Sequence, residues 1–403
     1  MREAFTARRW IVSAVGVIVT ALALGSGAGL PAEAAPAVER TPLNENSPYG
    51  IDNSYIVTLK PSAKFRAASE EGSRFAAKYG ATVERTYNSA VNGYAVRVSA
   101  AGARSFAADP AVAFVEKNQK VSLSSTQVNP PWGLDRIDQA RLPLSRTYTY
   151  PDTAGAGATV YVIDTGVRIT HQEIRGRAEY GYDVIDRDTV AADGNGHGTH
   201  VATTVAGVTY GAAKATRIVA VRVLDNNGSG TTSGVIAGVD WVTAQRVRPA
   251  VANMSLGGTA STALDTAVRN SISSGVTYAV AAGNSNTNAA YSSPARVSTA
   301  LTVGASTSTD YRAAYSNYGS SVDLFAPGSS IPAGWYTSDT ATAILSGTSM
   351  ATPHVAGAAA VYLTSHPTAS PATVHSALVS GATTGVLRNI GTGSPNRLLR
   401  VVP

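Results

Sequence analysis

Three places in the 403-residue chain set reactive side chains beside glycine: VYVIDTG at residues 160–166, DGNGHGTH at 193–200 and SGTSMATPHVAG at 346–357. Between them they supply an acid, a base and a hydroxyl. Asp164 follows an apolar run, so its carboxylate is expected to be partly buried and to need a partner, as any charge taken out of water does. An acid before Thr-Gly also caps turns, and both readings are open at this point. His197 stands between Gly196 and Gly198, where a loop passes into a helix; His200 should lie inside that helix, packed or hydrogen-bonded. Two histidines three apart could hold a metal, but the His-Glu-x-x-His arrangement is missing and zinc usually takes a third ligand. His197 is therefore the better candidate base. Ser349 reads as the opening residue of a helix after a Gly347-Thr348 turn. Its simplest role there is an N-cap. The same position also offers unpaired N–H groups and the positive helix end to a developing oxyanion. Pro353 is assigned to the first helical turn, where proline is tolerated. A G-x-S-x-G elbow is absent, which removes the main support for a lipase.

The elements that must position these residues are legible as periodicity. ATVYVID, RIVAVRVLD, AVANMSLG, VTYAVAAGN and ALTVGAS read as continuous apolar strands, with helical stretches near residues 197–207, 232–244 and 261–273. The fold class expected is α/β, a parallel β-sheet with helices on both faces, with its chemistry beyond the carboxyl ends of the strands. Before residue 124 the pattern differs. SYIVTLK reads as a strand, residues 66–79 as a helix, ATVERTYNSAVNGYAVRVS as two strands around a turn, AGARSFAAD as a short helix and VAFVEKNQKVSL as a last strand. That β-α-β-β-α-β order predicts a small ferredoxin-like α+β domain. SSTQVNPPWG then reads as a linker. No internal repeat is visible.

Arg2, Arg8 and Arg9 precede WIVSAVGVIVTALALG and then PAEAA, the order of a secretory signal over residues 1–35, with cleavage after Ala34 or Ala35. As a membrane anchor the apolar stretch is short. The mature product is expected to be soluble, secreted and extracellular, with no membrane attachment. The sequence has no cysteine, which excludes disulfides, a thiol nucleophile and a cysteine zinc site. Hydrophobic residues make up 44% and charged ones 14%, the balance of a packed globular chain. The net charge is +6, yet residues 125–403 hold 18 basic and 16 acidic side chains, without the basic stripe that nucleic acid requires.

The stretches PWGLDRIDQ, YVIDTG, GNGHGTHVA, VRVLDNNGSG, NMSLGG, AVAAGN, SNYGSSVDLFAPG and GTSMATPHVAG run in order from about residue 125 to SPNRLL near the C-terminus. Their sum resembles the subtilisin-like serine proteases, above all the proteinase K branch with its aqualysin-type enzymes. The first domain resembles the inhibitory propeptide of that family. The chain order Asp, His, Ser is that of subtilisin. The resemblance implies a triad of Asp164, His197 and Ser349, with Asn284 as side-chain donor to the oxyanion beside the Ser349 N–H. It implies a cleft between two edge segments, Gly228-Ser229-Gly230 and Ser255-Leu256-Gly257, that takes an extended peptide as an added strand. Ala281, Ala282 and Gly283 would wall the pocket for the residue before the cut; with no acid among them, an apolar or aromatic preference is expected.

The resemblance further implies structural calcium (Ca2+) and no cofactor for catalysis. One site would use Asp135, Asp138, Gln139, Ser145 and Thr147; a second would use Asp323 with the carbonyls of Ser298 and Ala300. Oxygen-only sets suit a hard cation, and helix-capping surface acids are the other reading. The partners implied are protein and peptide substrates and the chain's own propeptide, residues 36–124, acting as folding template and inhibitor. Self-cleavage near Ser124–Ser125 would leave residues 125–403 as a monomeric catalytic domain. Two departures stand out. Thr203 occupies a position where relatives carry glycine, and Gly194, Asn226, Ala290 and Ser321 fall where some relatives carry half-cystines. Two rival readings are a secreted module that binds peptides without cutting them and an esterase. The first would lack a triad member, and the second has no use for an extended-peptide cleft.

Overall fold

The structure is a computed structural model that describes residues 40–47, 50–119 and 124–401; the predicted signal segment, residues 1–35, lies outside the described residues. The chain divides into two compact units, with the main sequence boundary near residue 118.

The first unit runs strand Gly50–Leu59, helix Glu70–Ala77, strands Thr82–Tyr87 and Gly93–Arg97, helix Ala100–Ala108 and strand Val112–Gln119. The strands form one sheet in the order Thr82–Tyr87, Gly93–Arg97, Gly50–Leu59, Val112–Gln119. This is the expected β-α-β-β-α-β unit, closed over a core that includes Tyr55, Val57, Tyr94, Val96 and Phe106. Its first helix is shorter than the predicted 66–79. Ser69 accepts the Gly72 N–H at 3.0 Å, so the N-cap falls there and the preceding residues turn instead.

The second unit is built on a nine-stranded sheet. Its order is Thr383–Thr384, Arg397–Leu398, Leu324–Pro327, Leu301–Ser306, Val276–Ala281, Ala250–Met254, Thr159–Asp164, Arg217–Arg222, Ala178–Asp183. All pairings are parallel except that of Thr383–Thr384 with Arg397–Leu398. Every residue of Thr159–Asp164, Val276–Ala281 and Leu301–Ser306 is buried, the reason these strands read as unbroken apolar runs. Side chains alternate between two cores. Val160 and Val162 face helices His197–Ala206 and Thr348–Ser365, while Tyr161 and Ile163 face Thr232–Gln245 and Thr262–Ser273.

The expected linker is not one. Ser124–Val128 is a strand, paired antiparallel with Thr147–Pro151 so that Ser125 lies opposite Tyr150. Its residues are mostly polar and no more than half-buried, so no apolar alternation marks it in the sequence. Ser125 Oγ donates to Asp152 Oδ1 at 2.6 Å and Gln127 Nε2 to the Thr209 carbonyl at 3.0 Å, contacts that become available only once the later segments are in place.

One buried ion pair ties the start of this unit to a distant loop. Arg136 is fully buried and meets Asp310 through two hydrogen bonds, Nε to Oδ1 at 2.7 Å and Nη2 to Oδ2 at 3.0 Å. The third nitrogen donates to the Gln139 carbonyl at 2.7 Å. Asp310→Ala would leave an uncompensated guanidinium out of water. It should destabilise the domain by about 3–5 kcal/mol in equilibrium unfolding; a loss under about 1 kcal/mol would contradict this account.

Candidate active site

Asp164 is the last residue of its strand and is fully buried. Its Oδ1 accepts the Thr165 N–H at 2.8 Å and lies 2.7 Å from His197 Nδ1, while Oδ2 is buried without a partner. His197 opens helix His197–Ala206. The cap before it, Gly196, has φ 114°, a conformation glycine tolerates, and a Cβ there would overlap the Trp335 ring. The helix start is braced by a residue the sequence reading missed. Asp193 Oδ1 accepts from Asn195 N, Gly196 N and Thr165 Oγ1 at 2.8–2.9 Å, and its Oδ2 accepts from Thr199 N at 2.9 Å and Thr199 Oγ1 at 2.5 Å. An acid just ahead of a helix was the available signal. Burial is the largest single influence on His197 and favours its neutral form. The charge and hydrogen bond of Asp164, joined by the charge of Asp193, together outweigh it and hold the pKa above the ordinary value.

Ser349 lies in helix Thr348–Ser365, which opens one residue earlier than predicted and is capped by Gly347 rather than by a serine. Ser349 Oγ donates to the Ser255 carbonyl at 3.0 Å. Thr348 N–H and Oγ1 both donate to Asn284 Oδ1, at 2.8 and 2.9 Å, and Thr348 Oγ1 accepts the Gly283 N–H at 3.2 Å. Asn284 Oδ1 is thus engaged, and its Nδ2 end is the one available to a ligand. Pro353 is not in the first turn: it is the sixth residue of the helix, inside it.

Two cavities flank a shared wall formed by Leu256, Gly257, Gly258 and Thr259. One, of about 510 Å³, is lined by His197, Ser255 and the Gly228-Ser229-Gly230 turn. The other, of about 380 Å³, is lined by Ala281, Ala282, Gly283, Asn284 and Ser349, with no acidic side chain among its described lining residues. Exposed Tyr291 stands at its rim, and nothing in the sequence had pointed to it. An imidazole held by a buried carboxylate opens on the first cavity, and a hydroxyl at a helix start and an amide donor open on the second, with Leu256–Thr259 bordering both. That set suits acyl transfer.

Known protein families match both units of the chain. The family model for subtilases matches residues 155–393, and that for peptidase inhibitor I9 matches residues 54–124. The chain belongs to the subtilase family. It is 52% identical over 384 residues to an extracellular serine proteinase of Thermus sp. (strain Rt41A), an alignment spanning 91% of this chain and 93% of that one. It is 47% identical over 363 residues to alkaline serine exoprotease A of Vibrio alginolyticus, spanning 87% and 67%. A solved structure, that of a cold adapted subtilisin-like serine proteinase, matches with a TM-score of 0.67 at 53% identity, covering 68% of this chain and 99% of that one. The protein is an extracellular serine protease with an inhibitor-type N-terminal domain. As to membranes, no helix among the described residues is long and apolar enough to cross one.

In this subtilase the second histidine is a packing residue. His200 is fully buried, its Nε2 hydrogen-bonds the Ile331 carbonyl at 3.0 Å, and burial pulls its pKa down to about 4. Thr203, at the position where the resemblance implied glycine, is fully buried. Its hydroxyl accepts the Gly334 N–H at 2.9 Å and donates back to helix carbonyls, Thr199 at 2.9 Å or His200 at 3.1 Å. It ties the helix of His197 to strand Ile331–Gly334. At the other departure, Gly194 and Asn226 are neighbours: a Cβ on Gly194 would overlap the Asn226 side chain, whose Oδ1 accepts from Arg222 Nη2 at 2.9 Å.

The expected calcium ligands differ in how far they assemble. Among the described residues no group of three or more His, Asp or Glu side chains could hold a metal ion. Asp135, Gln139, Ser145 and Thr147 nevertheless interlock. Asp135 Oδ1 accepts from Ser145 N and Oγ at 3.0 Å each, Gln139 Oε1 accepts from Ser145 N at 2.9 Å, and the hydroxyls of Ser145 and Thr147 lie 2.8 Å apart. Asp138 Oδ2 accepts the Thr149 N–H at 2.6 Å, but its Oδ1 is buried without a partner. Burial, opposed by the Thr149 N–H and reinforced by the charge of Asp135, pushes the Asp138 carboxyl up to about 6. The donors of this cluster are all oxygens, the set a hard cation takes, and the Arg400 charge also reaches Asp138, opposing the upward shift. At the second expected site Asp323 Oδ2 accepts the Thr302 N–H at 2.8 Å and Oδ1 lies 3.3 Å from His375 Nε2. Exposed Ser298 and buried Ala300 lie in the segment before that donor.

Proposed function

We propose that the protease hydrolyses peptide bonds through Asp164, His197 and Ser349. The observation that carries this reading is the 2.7 Å contact between His197 Nδ1 and a carboxylate wholly removed from water. With Nδ1 donating to Asp164, the neutral imidazole presents Nε2 as its acceptor, the tautomer a general base requires. Ser349 Oγ rests on the Ser255 carbonyl. A peptide adding as a strand along Ser255-Leu256-Gly257 would engage that carbonyl with its own N–H and return the hydroxyl to the base. His197 takes the proton as Oγ attacks the carbonyl carbon, and the imidazolium is stabilised by Asp164 and, more distantly, by Asp193. It then gives the proton to the leaving amine. The Asn284 Nδ2 group and the Ser349 N–H are the donors for the oxyanion. In subtilisin itself, loss of the side-chain donor costs about 2.7–4 kcal/mol. Ser349→Ala should lower casein hydrolysis by more than about 10³-fold and should leave the precursor uncut between the inhibitor-type domain and the catalytic domain. Spontaneous processing of that variant would overturn self-cleavage near Ser124–Ser125.

The cavity beside Ser349 is walled by Ala281, Ala282 and Gly283 and lacks a countercharge, which supports broad specificity with an apolar or aromatic side chain before the cut. Peptides with Phe there should show kcat/KM at least about tenfold above matched Arg peptides; an Arg preference would refute the assignment.

We also propose that the Asp135–Asp138–Gln139–Ser145–Thr147 cluster holds calcium, which in a chain without cysteine would take over part of the cross-linking. Asp323 with the Ser298 and Ala300 carbonyls is proposed as a second, weaker site. Chelation with EDTA should lower the melting midpoint of the Ser349→Ala protein by about 5–10 °C, and Asp138→Ala should abolish most of that difference. An unchanged midpoint would dismiss both sites.

A further inference from the structure

Helix Thr348–Ser365 has a gap in its hydrogen-bond ladder directly at Ser349. The N–H of residue 353 would close on the Ser349 carbonyl, but residue 353 is proline, which has no N–H and whose ring crowds the carbonyl four residues back. The released carbonyl has a partner from elsewhere. Ser255 Oγ donates to it at 2.8 Å, across 94 residues of sequence. Since Ser349 Oγ donates to the Ser255 carbonyl at 3.0 Å, the two serines exchange hydrogen bonds in both directions, side chain to backbone.

The Ser255 hydroxyl has one proton and gives it to Ser349, so its oxygen can only accept from a third group. Asn253 Nδ2 supplies that bond at 2.9 Å. Asn253 is fully buried in the middle of the sheet, in register with Val162 on one side and Ala279 on the other, and Ser255 is itself buried at 3% exposure. The three residues form a directed chain from the centre of the sheet to the backbone of Ser349.

We propose that the Ser255 side chain, oriented by Asn253, is a positioning residue for the nucleophile. It replaces the N–H that Pro353 lacks and fixes the first turn of the helix at the place where Ser349 must present both its hydroxyl and its N–H. The proline keeps the Ser349 carbonyl turned out of the helix toward the sheet; an N–H at 353 would draw it into the ladder and pull the nucleophile with it. This inference rests on Ser349 being the nucleophile, and it concerns the Ser255 hydroxyl, not the Ser255 backbone that borders the cleft.

The test compares kcat and KM on a chromogenic peptide, together with melting midpoints, for the mature enzyme and for Ser255→Ala, Ser255→Thr, Asn253→Ala, Pro353→Ala and the Ser255→Ala/Pro353→Ala pair. Ser255→Ala should lower kcat about tenfold with KM changed less than about twofold, the loss expected when a buried carbonyl loses its partner. Ser255→Thr, which keeps the hydroxyl, should recover most of kcat. Adding Pro353→Ala to Ser255→Ala should raise the melting midpoint, because the carbonyl regains a helical partner, yet leave kcat low. Unchanged kcat in Ser255→Ala, an effect on KM alone, or no rescue by threonine would each overturn the proposal. Should Ser255→Ala fail to accumulate, Asn253→Ala decides: lowered kcat at constant KM supports the role, and unchanged kcat removes it. Full activity in Ser349→Ala would instead sink the nucleophile assignment, a separate failure.

Discussion

A carboxylate with no exposure to water is the constraint around which this site is organised. Asp164 ends an apolar strand in the middle of a parallel sheet, where an unpaired charge is costly enough to be expelled or neutralised. Its compensation comes from the Thr165 N–H and from an imidazole 33 residues further on. That imidazole can arrive only because the chain returns as helix His197–Ala206 beside the carboxyl end of the strand. The approach is as close as backbone permits: a Cβ on Gly198 would overlap the Gly166 carbonyl. The glycines of VIDTG and GHGTH are thus conditions for the acid–base contact, and the Asp193 and Thr165 network then holds the helix start in place.

The hydroxyl is delivered by a different device. Helix Thr348–Ser365 is buried along most of its length, and its AGAAA stretch lets it lie against the sheet at short distance; even Gly357 has no room to spare, since a Cβ there would stand 2.8 Å from that of Ala212. A close-packed element of this kind transmits little motion, so Ser349 is set by the core and not by a loop. With no disulfide available, the periphery is fastened by polar contacts instead. Arg222 joins Asp183, Asp186 and Asn226, and Thr203 uses a hydroxyl to dock the helix of His197 on a neighbouring strand.

How much of this was legible in the sequence follows from where each signal resides. Strands buried on both faces write themselves as unbroken apolar runs, and the motif residues stand out because glycine and reactive side chains seldom crowd together without cause. Residues that work through distant partners leave no such trace. Asn253, Thr348 and the side chain of Ser255 are ordinary polar residues until three segments converge. By local rules Pro353 belongs in the first turn, where proline is tolerated; it survives deeper in the helix because the carbonyl it displaces is met by a hydroxyl 94 residues away. Ser124–Val128 looks like a linker in isolation for the same reason, its strand character being conferred by Thr147–Pro151.

That ribbon also connects two features that look unrelated in sequence. Cleavage near Ser124–Ser125 would leave a new chain end at one extremity of Ser124–Val128, yet the pairing from Ser125 to Val128 would survive, since its partners Thr147 to Tyr150 lie on the catalytic side of the cut. The same partner strand carries Thr147, whose hydroxyl meets Ser145 in the oxygen cluster, and Thr149, whose N–H is held by Asp138. A cation that satisfied the bare Asp138 oxygen would thereby stiffen the strand against which the new terminus lies. In a chain without cysteine, fraying of the freshly cut end would then be opposed by oxygen ligands through two residues of one short strand, which couples the proposed maturation step to the proposed metal by geometry alone.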